Sequence, residues 1–334
     1  MKNRNVVVIS LSLLSLINLH PAVAFAQGDL TPPGPPGPTM KSLDQIEPRT
    51  TISSLPLNIT NSGSYYLTAT LTGVSGTNGI TILANNVTVD LMGFALLGVP
   101  GSVDGINVGS NTNIAVLNGI VQGWGGNGIN AFFAQNGRFE RLQVATNGLG
   151  GLNLGTGSVV THCLSMNNVG DGFTDQNGGI YEACIAQNNG SDGFHASGAN
   201  LFNCSARFNN HAGIWAYNGS LVSGCVSGYN TDSGIGLGFD SAAIGNDCMG
   251  NNSAASANDA GIYQFFGPGR IEGNHISYTS GVGIRVAVGQ TKVVVIKNTT
   301  AGNTNNSYSI PAGNDVGPWG QAATATSPWA NIQN

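Results

Sequence analysis

The chain of 334 residues carries a formal charge of −5 at pH 7, and only 8% of its residues are charged. Because nucleic-acid binding needs a clustered basic face, this composition argues against a nucleic-acid partner. Hydrophobic residues make up 41% of the chain and 50 residues are glycine, so enough apolar material is present to form a core. The length suits one elongated domain or two compact ones.

The first predicted element is a secretory signal peptide over residues 1–26. A short basic start with Lys2 and Arg4 precedes an apolar run from Val6 to Leu19, and small residues follow up to Ala26. This run is too short and wrongly flanked for a membrane span, and no later segment has the apolar length needed to cross a bilayer. We expect cleavage near Ala26 and export to the periplasm, the cell surface or the medium.

Non-repeating regions flank the part that we expect to fold as a repeat. Residues 27–40 contain "TPPGPPGPT", whose prolines fix φ and predict a stiff tether. Residues 41–78 are expected to form an N-terminal cap and the first repeat, and residues 309–334 a C-terminal cap or tail. Stacked strands expose unpaired edges at their ends, and we expect Trp319 and Trp329 to cover the last one.

Residues 79–308 repeat a glycine followed by a large apolar residue at intervals of 20 to 27 residues. The apolar members of the pattern are Ile80, Ile106, Ile129, Leu152, Phe173, Phe194, Ile214, Ile235, Ile262 and Ile284. Short β-favouring runs lie between glycines and asparagines, and no stretch keeps a helical pattern over three turns. A period of about 21 residues with short strands predicts a parallel β-helix, in which each repeat is one coil.

We therefore predict an all-β protein, a right-handed parallel β-helix of about 10–11 coils with non-repeating end caps. The hand follows because connections between parallel strands are almost always right-handed. Equivalent residues of successive coils then form columns along the axis, and the repeated apolar residues should stack in the interior. Side chains alternate along a strand, so Thr174, His195 and Trp215 should point outward.

Asparagines and cysteines recur at nearly the same interval as the repeat glycine and predict two further columns. Asn168, Asn189, Asn209 and Asn230 each stand five residues after a cysteine, and we expect them to form a hydrogen-bonded ladder at a tight, left-handed turn. The cysteines are Cys163, Cys184, Cys204, Cys225 and Cys248. Adjacent coils present side chains in parallel, which suits a disulfide poorly, and the C-x-x-C spacing of a thiolate metal site is absent. We expect a buried column of free thiols, with one or two strained disulfides as the alternative.

The candidate site combines acidic, imidazole and aromatic residues of the central coils. The candidate catalytic residues are Asp171, Asp192, His195 and His211, and the candidate ligand-binding residues are Trp215, Arg207, Asp232 and Asp175. An indole can stack on a sugar, an imidazole can exchange protons near neutral pH, and neighbouring carboxylates can share a proton or a hard cation. In the alternative interpretation the aspartates only cap their own turns, and His195 and Trp215 are partly packed surface residues.

Arg207 and one long coil add further charged residues. Arg207 would either meet an acidic sugar or remain solvated. The coil between Gly234 and Gly261 is 27 residues long, which predicts a protruding loop, and such loops often carry function. The acidic and basic residues in and near this coil are Asp240, Asp247, Asp259 and Arg270, and they show no recognisable catalytic spacing.

The coils "CLSMNNVGDGF", "CIAQNNGSDGF" and "CSARFNNHAGI" resemble those of secreted bacterial right-handed parallel β-helix repeat proteins of the pectate-lyase-like superfamily. The resemblance covers nearly all of the chain after the signal peptide and implies the fold. Well-understood members act on acidic polysaccharides. Their signatures, an Asp-Asp pair with Gly-His-Gly, Asp-Pro-His, and Arg-x-Pro-x-x-Arg, are not found here, so the resemblance assigns no catalytic residue.

The sequence thus predicts an exported β-helix that binds a polysaccharide or cell-surface glycan, or serves as a surface or matrix component, without catalysis. The alternative is a polysaccharide lyase, glycoside hydrolase or uronate epimerase that acts from the Asp, His and Trp face of the central coils. A spacer without a ligand is a third possibility. We expect no metal and no cofactor, with calcium on the Asp171 and Asp192 pair as the open alternative. The oligomeric state is not predicted.

Overall fold

The computed structural model describes residues 48–333. All regular secondary structure in this range is β-strand. The predicted signal peptide and tether lie outside the described residues. Among those described there is no helix with the length and hydropathy that a membrane crossing requires. In chain order the strands are β1 (Thr50–Ile52), β2 (Leu57–Ile59), β3 (Gly63–Leu67), β4 (Leu71–Thr72), β5 (Ile80–Ile82), β6 (Val87–Asp90), β7 (Ala95–Leu97), β8 (Ile106–Val108), β9 (Ile114–Gln122), β10 (Ile129–Gln135), β11 (Arg138–Ala145), β12 (Leu152–Thr156), β13 (Val159–Thr161), β14 (Leu164–Met166), β15 (Phe173–Asp175), β16 (Ile180–Glu182), β17 (Ile185–Gln187), β18 (Phe194–Ser197), β19 (Asn200–Phe202), β20 (Ser205–Arg207), β21 (Ile214–Tyr217), β22 (Leu221–Ser223), β23 (Val226–Gly228), β24 (Ile235–Leu237), β25 (Ser241–Ile244), β26 (Asp247–Met249), β27 (Ala260–Gln264), β28 (Gly269–Glu272), β29 (His275–Ser277), β30 (Val282–Val286), β31 (Val293–Ile296), β32 (Thr299–Ala301), β33 (Tyr308–Ser309), β34 (Asp315–Val316), β35 (Trp319–Gly320) and β36 (Asn331–Gln333).

The strands form two sheets in which every pairing is parallel. One sheet has twelve strands in the order β2-β5-β8-β10-β12-β15-β18-β21-β24-β27-β30-β33, and the other has 24 strands. A central coil contributes one strand to the twelve-stranded sheet and two to the other, as β18, β19 and β20 show. This is the predicted all-β, right-handed parallel β-helix, and the prediction is confirmed.

The predicted interior column is present and is longer than expected. Leu57 pairs with Ile80 at one end and Ile284 pairs with Tyr308 at the other, so the column has twelve members. The ten residues identified from the sequence are at most 1% exposed, and the rings of Phe173 and Phe194 stack 4.7 Å apart. The first and last coils escaped the pattern because proline and serine, Pro56 and Ser307, stand where the other coils have glycine.

The asparagine ladder forms as predicted, although the left-handed residue of the turn is the one before it. Nδ2 of Asn168 donates to Oδ1 of Asn189 at 3.0 Å, and Nδ2 of Asn189 donates to Oδ1 of Asn209 at 3.1 Å. The positive φ falls on the preceding residue, as at Asn167 with φ of 55° and Phe208 with φ of 56°. Each ladder amide therefore turns inward and bonds a backbone N–H and a backbone carbonyl of the preceding coil, as Asn189 does with Asn168 and Ser165, while its neighbour makes the corner.

All five cysteines are buried free thiols, as expected, but they form one column of four and a separate fifth. The backbone N–H of Cys204 donates to Sγ of Cys225, and the next member of that column is Asn246, whose Oδ1 accepts the N–H of Cys225 at 2.9 Å. Cys248 instead pairs with Ser227. Its placement in the column was wrong because the residue spacing of 23 hides a shift of two positions.

The described end of the chain packs on the last coils. Trp319 meets Tyr308 edge to face, with ring centroids 5.0 Å apart, and Nζ of Lys297 lies 4.6 Å from the centre of the Trp329 ring. Strand β36 pairs with β32 and β35. Both tryptophans remain half exposed.

Candidate functional site

The candidate site lies on the outer face of the twelve-stranded sheet. Thr174 pairs with His195, His195 with Trp215, and Trp215 with Gly236, so these residues form one column. Gly236 is followed by Tyr263 in the same column. The side chains of this column are partly exposed, whereas those of the interior column beside it are buried, as strand alternation requires.

Aspartates just before the repeat glycine cap the coil and orient this outer column. Oδ1 of Asp171 accepts the backbone N–H of Asp192 at 2.9 Å, and Oδ1 of Asp192 accepts that of Ala212 at 3.0 Å. The second oxygen turns toward the residue three positions later, which is Thr174 at 3.1 Å from Asp171 and His195 at 2.9 Å from Asp192. One carboxylate oxygen therefore bonds the backbone of the next coil, not of the aspartate's own turn, and the other oxygen contacts the outer column.

Asp192 is the centre of a four-residue cluster. Its side chain is only 4% exposed, and its two oxygens contact Nδ1 of His195 at 2.9 Å and Nδ1 of His211 at 2.5 Å. Nε2 of His211 lies 3.2 Å from Oδ2 of Asp232 in the next coil. One buried carboxylate thus anchors two imidazoles, and one of those imidazoles bridges to a second carboxylate.

These contacts shift the pKa values of the cluster. Burial alone would raise the pKa of Asp192, but the hydrogen bonds with His195 and His211 outweigh it and hold that pKa below its usual range. The hydrogen bond with Asp192 raises the pKa of His211 to about 9 and also raises the pKa of His195. Burial, and then the charge of Asp259, raises the pKa of Asp232. At neutral pH His211 is therefore an imidazolium between two carboxyl groups.

Tyr217 extends the cluster into an adjacent pocket. Its hydroxyl lies 3.3 Å from Nε2 of His195, the nitrogen that Asp192 leaves free. With the His195 proton on Nδ1, directed at Asp192, Nε2 accepts a hydrogen bond from the Tyr217 hydroxyl. Asp192, His195 and Tyr217 therefore form a continuous hydrogen-bonded path from a buried carboxylate to the wall of the pocket.

The pocket beside Tyr217 has a volume of about 360 Å³ and is lined mainly by aromatic rings. Its lining residues are His195, Trp215, Tyr217, Asn218, Gly238, Phe239, Phe265 and Phe266. The rings of Trp215 and Phe265 stack in parallel with centroids 4.1 Å apart, and Phe239 meets Phe266 edge to face at 4.3 Å. This stacking holds the walls of the pocket in fixed positions.

Two glycines make room for the aromatic walls. A Cβ atom at Gly236 would lie 2.3 Å from Cε3 of Trp215, so the indole occupies the space that a side chain would fill. A Cβ atom at Gly238 would lie 2.7 Å from Cβ of Tyr217 and 3.0 Å from Cζ of Phe265. Trp215 and Phe265 belong to the coils on either side of these glycines, and their rings pack over the glycine coil.

The structure separates two candidate ligand-binding residues from this cluster. Arg207 lies on β20 of the 24-stranded sheet, paired with Gln187 and Gly228, and so does not face the pocket. Asp175 is 3% exposed, and its oxygens accept the backbone N–H groups of Gly179 and Ser197. Burial raises the pKa of Asp175 to about 6, and its role in the fold is to close the turn that follows β15.

Asp171, Asp192 and His195 bring their potential ligand atoms within 4.8 Å of one another, close enough to hold a metal ion. Both oxygens of Asp192 already accept N–H donors, so an ion would have to replace the hydrogen bond to His195. Calcium takes 6–8 oxygen ligands, whereas this group offers carboxylates from only two residues. The donor set therefore fits calcium poorly.

The sequence interpretation missed Tyr217, Phe265 and the two pocket-edge phenylalanines. It followed only the first outward residue of each coil, two positions after the repeat glycine. The second outward residue, four positions after that glycine, is Ser197, Tyr217, Gly238 and Phe265 in successive coils. Strand alternation carried two residues further would have found this column.

Comparison of the chain with protein-family models and with curated proteins gives no match. Among solved structures, the A-module of mannuronan C-5 epimerase AlgE4 from Azotobacter vinelandii is similar with a TM-score of 0.66 and 16% identity, over 86% of this chain and 88% of that one. The A-module of mannuronan C-5 epimerase AlgE6 from the same organism gives 0.55 and 17%, over 77% and 91%. ORF18 of Geobacillus virus E2 gives 0.50 and 10%, over 79% and 52%.

At these identities the likeness concerns the fold. Two of these neighbours are modules of mannuronan C-5 epimerases. The chain is thus a right-handed parallel β-helix of about twelve coils, similar in architecture to polysaccharide-epimerase modules.

Proposed function

We propose that this protein is an exported β-helix that binds a polysaccharide in the aromatic pocket on the outer face of its twelve-stranded sheet. The observation that carries the proposal is the pocket itself, a cavity of about 360 Å³ whose lining includes Trp215, Tyr217 and Phe265. Ligand sites are typically concave, mostly apolar and supplied with a few polar groups that fix orientation. His195, Asn218 and the hydroxyl of Tyr217 supply polar groups here.

The chemistry of a sugar ring suits such a pocket. A pyranose presents C–H groups on its faces, which pack against aromatic rings, and hydroxyl groups on its rim, which need hydrogen-bond partners. The outer column continues past the pocket in both directions along the axis, through Thr174 on one side and Tyr263 on the other. A polymer lying along this column would meet several coils, in the way that solenoids use extended surfaces for binding.

The structural likeness to two mannuronan epimerase modules supports a polysaccharide as the ligand class. The predicted export signal is consistent with a ligand outside the cytoplasm. We propose further that binding needs no metal, because the carboxylate oxygens of Asp192 are already engaged by N–H donors. Chelation with EDTA should leave binding unchanged.

The proposal is tested by polysaccharide binding to the wild-type protein and to two pocket variants. Trp215→Ala and Phe265→Ala remove the stacked pair, and we expect each to weaken binding by roughly tenfold or more. Phe208 and Tyr229 offer a matched control, since they are also an exposed stacked pair, 5.2 Å apart, but lie outside the pocket. Tyr229→Ala should bind like wild type. No binding to any polysaccharide, or equal losses in pocket and control variants, would contradict the proposal.

A second candidate function is turnover of the bound polysaccharide by a lyase, hydrolase or epimerase reaction. The observation that favours it is the path from Asp192 through His195 to the Tyr217 hydroxyl at the pocket wall. A carboxylate that fixes one imidazole nitrogen leaves the other to exchange a proton with a group that touches the substrate. In this reaction Tyr217 would give or take the proton at the sugar, and His195 would restore it.

A substitution at Tyr217 distinguishes turnover from binding. Tyr217→Phe keeps the aromatic wall and removes only the hydroxyl, so it should keep binding and lose turnover by about 100-fold or more. His195→Gln should also lose turnover. The assay follows new reducing ends and the absorbance of unsaturated uronates over a panel of polymers. If the wild-type protein turns over none of the polymers that it binds, the function is binding alone.

A further inference from the structure

The outer face of the twelve-stranded sheet is poor in fixed positive charge. Among the lysines and arginines that the structure describes, only Arg285 lies on a strand of this sheet. Nη1 of Arg285 donates to the carbonyl oxygen of Ala257, and the guanidinium lies 6.0 Å from the centre of the Tyr263 ring. The one arginine of the face is therefore already engaged by a loop carbonyl and an aromatic ring.

The same face carries several carboxylates beside the pocket. Asp171 and Asp192 stand directly before the repeat glycine of consecutive coils. The next coil has His211 at this corner, and the two coils after it have Asp232 and Asp259, each two residues before the repeat glycine. Asp259 is held by the hydroxyl of Ser233 at 2.9 Å and acts electrostatically on both Asp232 and His211. The four carboxyl groups of this carboxylate row are therefore spread over five successive coils, with His211 in the middle coil, which also carries Trp215.

The positive groups beside the row do not balance it. His211 contributes one charge when protonated and lies between Asp192 and Asp232. His195 contributes at most one more, and its Nδ1 is directed at Asp192. Four carboxyl groups thus face two imidazoles, and the edge of the pocket keeps a negative balance near neutral pH.

We propose that the pocket selects uncharged polysaccharides and discriminates against polymers of uronic acids. This inference rests on the proposed binding function and adds the substrate class to it. A uronate carries one negative charge per sugar, and docking it along this face would bring like charges together. On the described strands of this sheet Arg285 is the one fixed cation, and it already contacts Ala257 and Tyr263. Like-charge juxtaposition at an interface acts against the wrong partner. The aromatic rings that line the pocket pack equally well on uncharged sugars.

The test compares polymers that share a sugar backbone and differ in whether its carboxyl groups are ionised, esterified or reduced. Pectin with fully methyl-esterified carboxyl groups is paired with the same pectin after de-esterification, and carboxyl-reduced alginate is paired with alginate, all in EDTA so that no divalent cation bridges the carboxylates. For the pair whose backbone binds, the uncharged member should bind roughly tenfold tighter or better. The difference should shrink as salt is added, because salt screens repulsion between exposed charges.

Variants connect the preference to the carboxylate row. Asp232→Asn and Asp259→Asn should each narrow the affinity ratio between the uncharged and the charged polymer by several-fold. Asp247→Asn is the matched control, because Asp247 also faces a histidine, His275 at 3.1 Å, but lies on the 24-stranded sheet. It should leave the ratio unchanged.

The outcomes separate the inference from the function on which it rests. If a polysaccharide binds in the pocket and its uronate form binds as well or better, the charge selection is wrong while the binding function stands. If neither member of any pair binds, and a panel of neutral polymers also fails, the binding function fails and the selection with it. A ratio that responds equally to Asp259→Asn and Asp247→Asn would place the discrimination elsewhere on the molecule.

Discussion

His195 and Tyr217 are 22 residues apart in the chain, and Nε2 of His195 lies 3.3 Å from the Tyr217 hydroxyl. Tyr217 pairs with Ser197, two positions beyond His195 on the neighbouring strand, so the contact runs diagonally between adjacent coils. Such diagonal neighbours are within reach of long and aromatic side chains. Stacking of coils therefore assembles a chemical group that no local sequence motif contains.

The first prediction concerns Asp192, which holds the cluster together. Asp192→Asn keeps an oxygen to accept the N–H of Ala212 but removes the charge that attracts His195 and His211. We expect the variant to unfold with a free energy about 1–3 kcal/mol lower than wild type, because a buried charge-assisted network loses its centre. The pKa values of both histidines should fall toward 6.5. Urea denaturation and NMR titration measure the two effects.

Asp247→Asn is the control for this change. Its carboxylate faces His275 in an exposed pair, in which both side chains are more than half exposed. Exposed pairs contribute about 0–1 kcal/mol, so this variant should stay close to wild type. Equal stability losses in the two variants would show that Asp192 does not act through its buried contacts.

The second prediction concerns Gly236, against which the Trp215 indole packs. Gly236→Ala places a methyl group where the indole now lies, 2.3 Å from Cε3, so the ring must move while the strand itself tolerates alanine. We expect near-wild-type stability, a changed tryptophan near-ultraviolet circular dichroism signal and roughly tenfold weaker polysaccharide binding. Gly228→Ala is the control, since its Cβ would meet only Met249 O at 3.4 Å and Arg207 Cγ at 3.9 Å. Unchanged binding by Gly236→Ala would show that the Trp215 position does not matter.

The third prediction concerns the asparagine ladder. Oδ1 of Asn209 accepts both the backbone N–H and the Nδ2 group of Asn189 at 3.1 Å, and both residues are fully buried. Asn209→Ala leaves those donors without a partner, so we expect a loss of about 2–5 kcal/mol in the free energy of unfolding. Asn210→Ala, at the exposed neighbouring position, should cost little. Chemical denaturation of the two variants gives the comparison, and similar losses would deny the ladder its structural role.

The fold could be predicted because each coil repeats the same physical constraints. The interior residues from Ile80 to Ile284 recur every 20 to 27 residues and the ladder asparagines around Asn209 every 20 or 21, so the repeat alone places them. The prediction of the cysteine column failed at its last member, where similar spacing along the chain does not give the same register between strands. Cys248 keeps the spacing of its column but pairs with Ser227, because a two-residue shift within the coil leaves the period almost unchanged.

The candidate site was predicted only in part, because strand alternation places some of its side chains and three-dimensional packing places the others. His195 and Trp215 belong to a repeated outward position and were found by strand alternation. Phe265 reaches Trp215 across the coil that carries Gly236, and the contact depends on how far the rings lean. The direction in which a side chain leans over a glycine is set by packing in three dimensions, which a repeat pattern does not encode.

The last prediction concerns pH and His211. The hydrogen bond with Asp192 raises the pKa of His211 to about 9, while the ordinary value in the unfolded chain is 6.5. A raised pKa means that folding favours the protonated form, so its contribution to stability is complete below pH 6.5 and is lost as the pH rises through about 9. The groups that face this imidazole are Asp192, Asp232 and Asp259, together with the ring of Trp215.

His211→Gln should therefore be less stable than wild type near neutral pH and equal to it at high pH. Since the His211 side chain is half exposed, solvent screening reduces the effect, and we expect a difference of about 1 kcal/mol at about pH 6 that disappears by about pH 10. His275→Gln is the control, because His275 meets only the exposed Asp247 and should show a smaller difference across the range. Urea denaturation at a series of pH values measures both. A difference for His211→Gln that persists unchanged at high pH would mean that the ring stabilises the coil by packing against Trp215, and that its charge between the two carboxylates contributes nothing.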